Sequence, residues 1–331
     1  MMNLPAAVFA IRWLIRDTFR QALASGIFWV MAAVSGLCIA VCLSVSVVGG
    51  KPLEGDFLPS QDPEVAKASG SGVDVVGGEL TLGFGAFPIP LGRDAPQEIR
   101  FLELLFAGAV ADTAGILMLL ICTAGFLPGF LDPSAAMVLM AKPVPRWSLL
   151  TGKFLGVVAF VAVQAVLFVG GTWLALGLRT GYWESGYLLC IPLVILHFAV
   201  FFSFSVLLAV WTRSTIACVF GSLVFWFLCW GMNYGRHAVA ALPHLDPRLK
   251  PFPALFQGTV EAGYWFLPKP ADFNILLFQS LHAGDYFSTF PIFEKVQELG
   301  AFHPEWSILT SLAFAVVMVA IAARQLATTD Y

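Results

Sequence analysis

Few side chains in this sequence could do chemistry, and where those few stand is informative. Asp112 interrupts the apolar run FAGAVADTAGILMLL. A carboxylate at the centre of a membrane helix costs about 2.5–3.5 kcal/mol on insertion scales. An acid kept there is therefore a candidate for transport or for proton movement. Its place in the outer half of the predicted helix gives water a route to lower that cost. His197 stands alone in another apolar run, where packing or an interhelical hydrogen bond explains it better than metal ligation. Lys142, Arg146 and Lys153 surround Pro143 and Pro145 between two apolar runs. These cations can hold a segment at lipid headgroups or meet acidic groups on another protein.

The signatures of soluble catalysis are missing. Thr151-Gly152-Lys153 is followed by Phe154 and has Trp147 where the first glycine of a P-loop should stand, so ATP is not bound by that route. The sequence has no H-E-x-x-H, G-x-S-x-G or glycine-rich strand-to-helix fingerprint. Its six cysteines (Cys38, Cys42, Cys122, Cys190, Cys218, Cys229) all fall in predicted spans, with no C-x-x-C pair. No catalytic residue, cofactor ligand or metal ligand is assigned in this chain.

The elements that must position these residues follow from composition. Of 331 residues 59% are hydrophobic and 12% charged, against about 25% charged in soluble domains; the mean hydropathy is +0.83. A net charge of -3 gives no basic stripe for nucleic acid. A hydrocarbon core of about 30 Å needs roughly 20 apolar residues as helix. Six stretches meet that demand: 22–48, 104–130, 154–178, 187–211, 215–234 and 306–323. The expected fold is an all-α integral membrane protein of six transmembrane helices in a single transmembrane domain over 1–331.

Charge orients the helices. Arg12, Arg16, Arg20, Lys142, Arg146, Lys153, Arg213 and Arg324 fall on one side if six helices alternate, against Asp17, Asp132 and Asp330. By the positive-inside rule that side is cytoplasmic, with both termini inside a cytoplasmic (inner) membrane. Tyr182, Trp183 and Tyr187 at the outer turn, and Trp147 and Trp211 at inner boundaries, read as interfacial belts. Residues 4–21 carry Arg12, Arg16 and Arg20 at four-residue spacing among Phe9, Trp13 and Phe19. They form either an amphipathic segment on anionic lipid or a basic flank that sets topology. Small residues Gly26, Ser35, Gly36, Gly170 and Gly171 are candidates for close helix contacts.

Two regions lie outside the spans. Residues 49–102 form an acidic extracytoplasmic loop in which Val73 and Val75 face Leu80, Leu82 and Phe84 across Gly77-Gly78, the pattern of a β-hairpin. In 232–305 Pro243, Pro247, Pro251, Pro253, Pro268 and Pro270 break the helical pattern, with short apolar helices expected at 254–266 and 275–281. This region either re-enters the outer leaflet and lines a pathway or covers the helix ends as a lid.

The segment 131–153 joins the second and third spans. Pro143 and Pro145 stop a helix before them, so the chain must turn and re-enter the membrane. Residues 134–141 can form a short surface helix carrying Met137 and Met140, thioethers suited to a moving contact. The run TAGFLPGFLDPSAAMVLMAKPVPRWSLLTGKFLGVVAF resembles the ABC-2 type permease subunits of ABC transporters. In that family a helix is followed by a coupling segment ending in Lys/Arg-Pro-(Val/Ile)-x-Arg and then Gly-Lys-Phe. Here Lys142-Pro143-Val144, Arg146 and Gly152-Lys153-Phe154 occupy those positions. Ahead of them, where members often carry an acidic and Gly-Thr stretch, this chain has FLDPSAA, including Asp132.

The resemblance implies an ABC-2 type exporter (type V) permease fold with a small extracytoplasmic region. It implies a coupling helix at Asp132, Met137, Met140, Lys142, Pro143, Val144, Arg146 and Lys153, and a homodimer or heterodimer with a similar permease among membrane lipids. ATP and Mg would be bound by a separate P-loop ATPase subunit. An integral-membrane lipid-modifying enzyme using Asp112 or outer-loop acids, and a non-catalytic scaffold, remain as alternatives.

Overall fold

The computed structural model describes residues 4–49, 78–90, 95–131, 145–246, 248, 252–282 and 291–328. The expected coupling residues Asp132, Met137, Met140, Lys142, Pro143 and Val144 lie outside the described residues, as do Val73, Val75 and Gly77 of the expected hairpin.

The apolar runs form helices because, in hydrocarbon, each backbone N–H and C=O must bond within its own segment. Helix α1 (Leu4–Ala24) meets α2 (Ile27–Leu43) at 71°. Five further helices are long and apolar enough to span: α3 (Ala95–Phe130), α4 (Arg146–Thr180), α5 (Ser185–Thr212), α6 (Thr215–Leu245) and, last in the chain, Pro304–Thr328. Between α6 and that last helix come α7 (Ala254–Phe266), α8 (Pro270–Ser280) and α9 (Pro291–Glu298), so Pro304–Thr328 is α10. Counting the bent α1–α2 pair as one, the described residues hold six stretches long and apolar enough to span.

The first expected span, 22–48, is corrected at both ends. Gly26 adopts a φ of 77°, a left-handed conformation that glycine takes without penalty, and the chain turns there. Beyond α2 the chain becomes strand β1 (Ser46–Gly49). The 17 residues of α2 measure about 25 Å at 1.5 Å per residue, slightly less than the hydrocarbon core. Strand β1 pairs antiparallel with β2 (Gly78–Leu82), which pairs on its other edge with β3 (Phe87–Pro90). Among the described residues both edges of β2 are occupied, and its turn into β3 runs through Gly83–Ala86.

Helix α5 is the centre of the bundle. Its apolar residues face all directions and are buried on all sides, among them Val194, Phe198, Phe201, Phe202 and Val206. Helices α3, α4, α6 and α10 pack around it. Helix α1 lies along the first half of α4. It buries Ala7, Ala10, Leu14, Thr18 and Ala22, a stripe of three- and four-residue spacing, and leaves Arg12, Arg16 and Arg20 exposed. The contact is close because α4 presents Gly152 and Gly156: a Cβ on Gly152 would stand 3.1 Å from the Ile11 Cα. Of the glycines expected at close contacts, Gly171 meets Ile39, whereas Gly26, Gly36 and Gly170 have nothing within 4 Å.

Two ends of the bundle can be told apart. The terminal end holds α1, the start of α4 and the last turn of α10, whose Leu326 carbonyl accepts from Arg146. The far end holds the sheet and α7, α8 and α9, the last of which packs on α6. Of the expected belt aromatics, Trp147, Trp211, Tyr182 and Trp183 are exposed. Tyr187 is not one of them: it is fully buried, its hydroxyl 2.9 Å from that of Thr172.

Candidate functional site

Asp112 lies in a π-helical stretch of α3, Leu105–Gly115. Helix α3 begins nine residues before the expected 104, so Asp112 stands midway along the helix as a whole. Such wide turns are rare and recur at functional sites. The carboxylate is 2% exposed and meets His197 of α5, with Oδ1 2.6 Å from Nδ1. On the other side of the ring, Trp226 of α6 donates its indole N–H to His197 Nε2 at 3.3 Å. An indole can only donate, which assigns Nε2 as the bare nitrogen and Nδ1 as the one carrying the proton. His197 thus donates through Nδ1 to Asp112 Oδ1 and accepts through Nε2 from Trp226. Asn274 of α8 donates to Oδ2 over a long 3.5 Å, so this oxygen's accepting capacity is largely unused.

The carboxylate faces a cleft of about 410 Å³ between α3, α6, α8 and α9, within the range of small-molecule pockets. Trp226, Trp230, Tyr234 and Phe293 line it. Trp230 and Tyr234 stack at 5.3 Å between centroids, and Phe293 meets Tyr234 edge-on at 6.1 Å. Asp112 is the one charged side chain among the described lining residues. Chemically the cleft offers an anionic point at an aromatic wall. Among the described residues no group of three His, Cys, Asp or Glu is placed to hold a metal.

Helix α8, the roof of this cleft, is fixed by a second buried network that sequence reasoning missed. Asp272 is fully buried. Its Oδ1 accepts from His237 Nε2 at 2.6 Å and from Asn233 Nδ2 at 2.9 Å. Its Oδ2 accepts from Tyr264 at 3.0 Å and from Ser307, and its backbone N–H donates to Asn233 Oδ1 at 3.1 Å. Burial opposes ionisation of Asp272, but the hydrogen bond and charge of His237, with the bonds from Ser307 and Asn233, hold its carboxyl below the usual range. Nearby Lys269, also fully buried, lies 4.7 Å over the Tyr264 ring. Burial pushes its pKa down to about 8, against the pull of Asp272 and with the help of Arg236. One aspartate thereby ties α8 to α6, α7 and α10, and holds Asn274 and the His197-stacking Phe273 in place.

A signal for part of this network exists in the sequence. Ser222, Trp226, Cys229, Asn233, His237 and Ala241 repeat at three- and four-residue spacing and are all buried on one stripe of α6. The stripe continues past 234, where falling hydropathy marked the end of the expected helix; α6 runs on to Leu245. Asp272, Lys269 and Tyr264 have no such pattern, since their partners are distant in sequence.

At the terminal end, two of the expected coupling residues are described. Arg146 donates through Nη1 to the carbonyls of Leu326 and Ala327, both at 3.3 Å. It thus sits on the last turn of α10, where orphan carbonyls and the negative end of the helix dipole favour a cation. Lys153 is buried, with Nζ 2.7 Å from Gln21 Oε1 and 3.6 Å from Asp17 Oδ2. The rings of Phe126 and Phe130 lie 5.9 and 5.7 Å from it. Its charge is directed to α1 and the end of α3, not to an exposed surface. Asp112, about as far along α3 as its midpoint, is not brought together with either cation.

No curated protein matches the chain. A family model described as ABC-2 family transporter protein matches residues 101–331, a stretch that runs from within α3 through α10 and takes in both networks. The chain belongs to the ABC-2 transporter family.

Proposed function

We propose that this chain is the membrane permease subunit of an ATP-binding cassette exporter. It pairs with itself or a similar subunit, and ATP with Mg is hydrolysed on a separate P-loop ATPase. The observation that carries the reading is family membership over 101–331 in a chain whose own sequence lacks a P-loop. Permeases of this family generally work with an ATP-binding subunit.

The segment 131–153 would receive the motion of the ATPase, with Asp132, Met137, Met140, Lys142, Pro143 and Val144 meeting it. Two observations support this placing. The segment leaves α3 beside Phe130, and re-enters at Arg146 and Lys153, which bear on α10 and α1. A push at this point would therefore reach three helices at once. In this reading the terminal end is cytoplasmic, both termini are inside, and the chain is a multi-pass protein of the cytoplasmic membrane. Free energy enters as the preference of ATP for the closed ATPase pair, which shifts the permease between two arrangements.

The test is a pull-down of tagged protein in mild detergent, with mass spectrometry for P-loop ATPases, comparing wild type with Met137→Asp combined with Lys142→Glu. Arg146 is left intact because it caps α10. Recovery of an ATPase with wild type, and its loss with the inserted variant, is the expected result. No ATPase with either protein, under conditions that hold a known ABC complex together, would sink the reading in favour of a lipid-modifying enzyme or a scaffold.

A further inference from the structure

We propose that the cleft over Asp112 binds a hydrophobic organic cation, seated with its charge on the carboxylate and its apolar groups on the Trp226, Trp230, Tyr234 and Phe293 rings. Three observations converge on this class. First, Asp112 is the one charged side chain among the described lining residues, and His197 meets its Oδ1 through Nδ1 while accepting from Trp226 at Nε2.

Second, the unused capacity of Asp112 lies on Oδ2, whose sole described partner is the long contact from Asn274. A carboxylate that is 2% exposed and underfilled in a low-dielectric setting is satisfied either by a proton or by a cation or charged N–H in the cleft, and the wall decides for the second. Third, the rest of the wall is aromatic. Ring faces attract cations, and more strongly where water is excluded. An anionic ligand would face the Asp112 charge with no described cation on the wall to offset it. A neutral lipid chain would leave the carboxylate as it is.

The roof also fits a binding role. Asn274 and Phe273 stand on α8, and α8 is fixed by the Asp272 network on its neighbouring turn. The site is thus built on packed elements and needs no ligand to assemble it. Binding at this cleft stands independently of the permease reading; that the bound cation is cargo rests on that reading.

The probes are tetraphenylphosphonium and tetraphenylborate, ions of like shape and opposite charge, titrated into the purified chain in lipid nanodiscs by equilibrium dialysis against empty nanodiscs. No ATPase is needed, so this result and the pull-down can fail separately. Wild type is expected to bind the cation saturably and at least tenfold more tightly than the anion. Asp112→Asn, which keeps the shape and removes the charge, is expected to lose that preference. Equal affinity for the two ions, no saturable binding of the cation, or a preference retained in Asp112→Asn would each overturn the proposal. If Asp112→Asn does not give a monodisperse protein, Trp230→Ala decides, because Trp230 is a half-exposed wall residue. Loss of cation affinity by several-fold supports the cleft, and affinity within twofold of wild type overturns it.

Discussion

Replacing Gly156 by alanine tests the joint between α1 and α4 directly. The new Cβ would lie 2.6 Å from Thr18 Oγ1 and 3.2 Å from the Ile15 Cα. The first contact is relieved only by turning the Thr18 hydroxyl, which donates to the Leu14 carbonyl at 2.8 Å and is buried. Losing that bond costs about 1–3 kcal/mol. The second contact is with backbone, and carbon atoms settle at about 3.5–4.0 Å. Helix α1 would have to withdraw by the difference, about 0.3–0.8 Å, loosening the whole stripe from Ala7 to Ala22. Overpacking of this kind costs about 1–3 kcal/mol, while alanine recovers about 0.8–1.0 kcal/mol over glycine in a helix. The net expectation is a destabilisation of about 1–5 kcal/mol, or a melting temperature about 2–20 °C lower. Gly36→Ala is the control, since nothing lies within 4 Å of a Cβ there. Melting of the purified protein is followed by tryptophan fluorescence, with hydrogen exchange read on α1. If Gly156→Ala melts at or above wild type, as Gly36→Ala should, and α1 keeps its protection, the tight joint is refuted.

Two further outcomes follow from the network under α8. Asp272→Ala would leave His237, Asn233, Tyr264 and Ser307 without their common acceptor, a loss of about 1–3 kcal/mol or more from buried donors left unpaired. Hydrogen exchange should rise across α7 and α8, and unchanged protection there would count against the anchoring role. Lys269 titrates at about 8 in the folded protein against about 10.4 for a free lysine. Between these values the unfolded state binds more protons, so Lys269 makes stability rise as pH climbs through that window. The wild-type melting temperature minus that of Lys269→Met should therefore increase from pH 8 towards pH 10, and a flat difference would contradict the burial of the ammonium.

Much of the architecture is legible in the sequence because the bilayer imposes one requirement, about 20 apolar residues closed on their own hydrogen bonds. Five runs, from 104–130 to 306–323, met it and became α3, α4, α5, α6 and α10. Each helix extends beyond its expected range at one end or both, because hydropathy marks where side chains turn polar and not where backbone bonding stops. The resemblance around Lys142-Pro143-Val144 and Gly152-Lys153-Phe154 was likewise readable locally, and it points to the family that the match over 101–331 establishes.

Tertiary structure decided what those local signals could not. Lys153 has the same sequence neighbours whether it faces a partner or Gln21, and only the packing of α1 on Gly152 and Gly156 sends it inward. Asp112 could be flagged as an acid in a membrane helix, but its partner His197 and the Trp226 that bonds the other ring nitrogen come from two other helices. Asp272 carried no flag at all, for it gathers ligands spread from Asn233 to Ser307. A membrane span is specified by its own residues, since lipid offers its backbone no partner. A buried polar group is satisfied only by what the folded chain brings to it, and that pairing is a property of the bundle rather than of any one segment.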